Sequence, residues 1–219
     1  MLHLHQELLL LSIDDDGEVE FTAGTSTFRL AFAGACMIDL AHSGHIEVDL
    51  DAVHLRNPST PSDPTLAQVM STLQQADSPQ GLQYWLGKLQ DNFQALTAST
   101  LQRLSDLGII AVEETKFLWV LASRKYPVID GHEKKEAKLR IMEALLGEGL
   151  PSEEDSELIG LAHAGGLLES FLTTREISSL EERLATVGNL SLIASLVEQA
   201  IVDEQEAIAR AMLINPYPI

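Results

Sequence analysis

The chain has 219 residues and is 45% apolar, enough for one full core, and its formal charge of -19, from 33 acidic and 14 basic side chains, repels polyanions and argues against nucleic-acid binding. One cysteine excludes an internal disulfide and suggests a reducing compartment, so the cytoplasm is the expected address. The longest apolar run, nine residues at 30–38, is far short of the roughly 20 a spanning helix needs, and the opening MLHLHQELLLLSIDDDG lacks the basic start and cleavage site of a signal peptide.

In chain order, QELLLLSIDDDGE predicts a brief helix stopped by three aspartates and Gly17. FRLAFAGACMIDLAHSG predicts a buried helix ending at Gly44, and HIEVDLDAVHL alternates as a small hairpin would. RNPSTPSDPT is loop, with Asp63 as N-cap and Pro64 at the first helical position of the next segment. Helical patterns follow over 65–75, 79–89 and 92–107, the last closed by Gly108. IIAVEETKFLWVL predicts two apolar strands around a Glu-Glu-Thr-Lys turn. Residues 131–213 are mostly helical, broken at GEGLPS, HAGG and VGN. The sum is a mainly α, single multihelical domain over 1–219 with a protruding β-hairpin and one further small hairpin.

Charge is uneven: residues 1–60 carry -8, 61–147 carry -1 and 148–219 carry -10. The middle third gathers Arg124, Lys125, Lys134, Lys135, Lys138 and Arg140 beside the hairpin residues Phe117, Leu118 and Trp119. Apolar insertion backed by a few cations is the chemistry of reversible attachment to an anionic bilayer, while the plainer reading is a solvated helix face with i,i+4 pairs.

Cys36, Asp39 and His42 recur every three residues, on one side of a helix. The set matches no common zinc pattern, and a buried thiol, an exposed acid and a helix-end histidine account for it as well. His3 and His5 in HLHQE align only on an extended segment, and chain ends fray. No nucleophile elbow or phosphate loop occurs, His163 reads as a satisfied core histidine, and no cofactor or metal is expected.

The order of these segments resembles the Golgi phosphoprotein 3 family, the GPP34 domain. The resemblance rests on HQELLLLSIDDDGE, AGACMIDLAHSGHIEV, PSDPTLAQVM, YWLGKL, LQRLSDLGII followed by FLWVLASRKYP, and LIGLAHAGGLLE, spanning residues 5–169. It implies a mostly helical domain with a protruding hairpin and a non-enzymatic role. In the family's eukaryotic members that role is binding of phosphatidylinositol 4-phosphate and peripheral, adaptor-like attachment to the cytoplasmic face of a membrane. The hairpin there serves membrane contact and self-association. The chain starts at the domain itself and looks more like a bacterial member than a Golgi adaptor.

Carried over one residue at a time, the family's pocket tryptophan falls at Gly24, its first pocket arginine at Ala33, and two further arginines at Gln94 and Thr97. All four are replaced, and Arg29 and Arg103 are the arginines nearest in sequence. The resemblance thus implies an anionic phospholipid partner with altered headgroup contacts, and the alternative is a soluble protein-interaction scaffold that has lost the lipid site.

Overall fold

A computed structural model of the chain describes residues 2–19, 25–117 and 121–214. It opens with α1 (Leu4–Leu11), all eight residues of which are buried. A helix buried on every side is stable only inside other elements, and this one packs on the next, α2 (Thr25–His42). Helix α2 is the axis of the fold: Ala31, Phe32, Ala33, Ala35, Cys36, Met37, Ile38 and Leu40 are all buried.

Small residues on α2 let neighbouring helices approach closely. A Cβ at Gly34 would lie 2.5 Å from Val197 Cγ2, so this position sets the distance to α10 (Leu192–Ile214). Around α2 also pack α3 (Pro64–Leu73), α4 (Leu82–Asp91) and α7 (Glu153–Ala164). Helix α5 (Phe93–Asp106) lies against α1 and α3, and α6 (His132–Leu146) against α1 and α7. Phe28 and Phe32 of α2 meet Phe93 edge to face, an arrangement that aligns ring edges with ring faces. Short helices α8 (Thr174–Ser179) and α9 (Glu181–Gly188) complete the C-terminal half.

Most local signals act as the sequence predicts. Asp63 caps α3 by accepting the N–H groups of Thr65 and Leu66, with Pro64 at the first helical position. Strands β1 (Ile46–Val48) and β2 (Val53–Leu55) form the small antiparallel hairpin. Helix α4 starts later than its periodicity predicts, because Gln80 is drawn into a bridge with Val53, whose N–H reaches its carbonyl at 2.8 Å.

The second hairpin needs a correction. Glu113 to Lys116 is not a turn: β3 (Glu113–Phe117) pairs with β4 (Leu121–Lys125), and Ile110 instead bridges Val128 at the hairpin's base. The register sets Glu113 opposite Lys125 and Glu114 opposite Arg124. Among the described residues no helix makes an extended contact with either strand. The base is tied to the loop after α1, where Tyr126 donates to the Gly17 carbonyl and Lys125 pairs with Glu18 at 3.2 Å. Gly17 has φ of +76°, and a Cβ there would lie 2.7 Å from the Pro127 nitrogen, so a glycine is required.

Candidate functional site

Three consecutive polar residues of α1 are buried, and each is met by a different element. His5 Nδ1 lies 2.7 Å from Asp39 Oδ2 on α2, Gln6 Nε2 donates to Asp63 Oδ2 at 2.9 Å, and Glu7 receives both terminal nitrogens of Arg140 on α6 at 2.9 and 3.0 Å. Asp39 also accepts the backbone N–H groups of Leu4 and His5. Two expectations are corrected: the HLHQE segment does not fray, and Asp39 is buried rather than exposed. Burial works to raise the Asp39 pKa, but the imidazoles of His3 and His5 outweigh it and hold the carboxyl well below the usual range.

Beside this network opens a cleft of about 190 Å³ lined by His3, Glu7, Asp39, His42, Arg140 and Glu157, among others. Cys36, Asp39 and His42 do not converge there. Cys36 is sealed, with burial pushing its thiol pKa well up; Asp39 is held by His5; His42 turns to Glu157 of α7, Nε2 to Oε2 3.3 Å. Burial raises the Glu157 carboxyl pKa, opposed by the nearby His42. His163 is half-buried rather than a core residue.

Of the family pocket positions, Gly24 lies outside the described residues, Ala33 and Thr97 are buried, and Gln94 is exposed. Thr97 donates its hydroxyl to the Phe93 carbonyl, closing on its own helix. The cation beside these positions is Arg29, one turn before Ala33, whose guanidinium sits 5.4 Å from the Phe93 ring centroid and whose buried Nε has no hydrogen-bond partner. The guanidinium thus has an aromatic ring on one side and one buried donor without a hydrogen-bond partner.

The basic segment is largely engaged within the molecule. Arg140 is held by Glu7 and Asp155, Lys138 lies over Phe171, Lys134 donates to the Ile13 carbonyl, and Lys125 pairs with Glu18. Lys135 is exposed, and Arg124 stands on β4 opposite Glu114. Leu118 and Trp119 lie outside the described residues, and Phe117 ends β3 opposite Leu121. No helix among the described residues is long and apolar enough to cross a membrane.

A central buried helix wrapped by others, with a stand-off antiparallel hairpin, defines a mainly helical, hairpin-bearing protein. The chain belongs to the Golgi phosphoprotein 3 family: the family model, Golgi phosphoprotein 3 (GPP34), matches residues 4–204. A search of curated proteins finds no match.

Proposed function

We propose that the chain, as one domain over 1–219, is a non-enzymatic docking module that attaches peripherally to an anionic membrane from the cytoplasmic side. The observation that carries this reading is the β3–β4 hairpin, which among the described residues no helix covers extensively and which is tied at its base to the loop after α1. The sequence that leads out of β3 carries Phe117, Leu118 and Trp119, an apolar set suited to the headgroup boundary, while Arg29 against Phe93 offers a single cation for a phosphate. Family membership supports phosphatidylinositol 4-phosphate as the lipid to try, with weaker discrimination, because Ala33, Gln94 and Thr97 supply no guanidinium. A non-enzymatic role is supported by the sealing of Cys36 and His5 from solvent.

The test is co-sedimentation at low salt with vesicles of phosphatidylcholine alone, with added phosphatidylserine, and with added phosphatidylinositol 4-phosphate. Pelleting is expected with both anionic mixtures, lost in Phe117→Ser/Trp119→Ser and reduced in Arg29→Gln with the phosphoinositide only. Absence of pelleting with every mixture overturns the membrane reading.

A second reading, a soluble interaction scaffold, is favoured by the -19 charge and by cations paired internally at Lys125 and Arg140. It expects an oligomer in sedimentation equilibrium that the same hairpin variant dissolves, with no lipid dependence.

A further inference from the structure

Away from the hairpin, the last turn of α2 meets the first half of α7 and brings together three side chains of metal-ligand type. Glu153 and Glu157 stand four residues apart and so share one face of α7, opposite His42. One ligand atom from each of the three lies within 4.8 Å of the others, and among the described residues this is the one group of three or more His, Cys, Asp and Glu that converges in this way.

Independent of that convergence is the state of Glu157. The residue is 3% exposed, its Oε1 accepts from Ser191 Oγ at 3.3 Å, and its Oε2 is buried, faces His42 Nε2 and has no hydrogen-bond partner. A buried carboxylate oxygen left without a donor is costly, and such an oxygen needs a positive partner. The contact with His42 has the distance but not the alignment of a hydrogen bond, since 3.3 Å is reached without a bond being formed. Ligand atoms of a tetrahedral zinc at ~2.0–2.1 Å from the metal stand ~3.4 Å from one another, which is the separation this pair shows. One carboxylate oxygen oriented by a hydroxyl while the other points into the site is also how an outer partner fixes a metal ligand.

Charge fits as well. Two carboxylates and a neutral imidazole balance a divalent cation, and the nearby cation of the cleft, Arg140, is already held by Glu7 and Asp155. His42 and Glu153 are exposed toward solvent, so ions have an entry path and a fourth coordination position remains open.

We infer that His42, Glu153 and Glu157 form a binding site for a divalent transition cation of the zinc class, with Ser191 orienting Glu157. The site clips the end of α2 to α7. A simple His42–Glu157 ion pair gives Glu153 no part and binds no metal, which separates the two accounts.

The test uses the full chain, freed of any affinity tag and stripped with chelator, titrated with Zn²⁺ against a chromophoric competitor and with Co²⁺ by visible absorption. One equivalent of Zn²⁺ should bind at micromolar or tighter affinity, the Co²⁺ form should absorb as a four-coordinate ion, and the metal should raise Tm. His42→Ala, Glu157→Gln and Glu153→Gln should each weaken binding at least tenfold, and Ser191→Ala by about tenfold. His3→Ala, at the neighbouring histidine, should leave it unchanged. Glu153→Gln alters an exposed side chain, so it decides the question even if the buried positions fail to fold. Absence of stoichiometric binding overturns the proposal, as does binding that survives His42→Ala and Glu153→Gln or that His3→Ala removes.

Discussion

His5 of α1 donates its Nδ1 hydrogen to Asp39 of α2 at 2.7 Å, and the same carboxylate accepts the backbone N–H groups of Leu4 and His5. One buried acid therefore fixes both the side chain and the first free N–H groups of the opening helix. Helix N-termini leave such donors without intrahelical partners, and here a residue of another helix satisfies those of Leu4 and His5 while Gln6 accepts the His3 N–H locally. Gln6 with Asp63 and Glu7 with Arg140 repeat the pattern on either side.

Asp39→Asn should destabilise the protein by about 3 kcal/mol at neutral pH, since the amide places N–H groups where donors already converge. The sign with pH follows from the depressed carboxyl pKa of Asp39. Its contribution is present above the unfolded value of about 4 and is lost as pH falls through the folded value. Urea denaturation at several pH values checks this: because Asp39 also raises the pKa of His3, the gap between wild type and variant should be widest between the unfolded carboxyl and imidazole values of about 4 and about 6.5, and should narrow as pH falls below about 4. A gap that widens as pH falls below about 4 would show that Asp39 acts otherwise.

Arg140→Lys should cost about 2 kcal/mol despite keeping the charge, because an ammonium cannot hold Glu7 and Asp155 with one planar fork. Arg140→Ala should cost about 3 kcal/mol, leaving Glu7 nearly buried without its partner. A double-mutant cycle with Glu7→Gln should return a clear coupling energy. Additive effects would place Arg140 on the surface as an available anion contact instead.

Gly34→Ala should destabilise by about 1–2 kcal/mol, the overpacking against Val197 exceeding the better helix propensity of alanine. Val197 is β-branched and fully buried, so it has little freedom to move away. In the Val197→Ala background the same change should be neutral or stabilising. Equal cost in both backgrounds would remove the close approach of α2 and α10 as the cause.

The pattern of helices, the Asp63–Pro64 start of α3, the ends at Gly44 and Gly108, and the existence of two hairpins were legible in the sequence, because each depends on residues within a turn or two of one another. The order of these segments carried the family as well. The strand register around Glu113 was not legible, since EETKF has no apolar alternation to read and polar residues that suit a turn also suit a strand. Local spacing also misdirected attention within α2. Asp39 and His42 stand on one helix yet serve different partners, His5 and Glu157.

Sequence alone thus determined the elements of this protein, a mainly helical chain with a hairpin, and its membership of a family. Tertiary structure alone decided which polar groups meet. His5, Gln6 and Glu7 are neighbours in the chain, but their partners lie 34, 57 and 133 residues away. The same holds for Glu157, which is one acid among many in a strongly acidic sequence until α7 packs on α2 and buries it against His42. Periodicity reports which face of a helix is buried; only the packing of that face says what it is buried against.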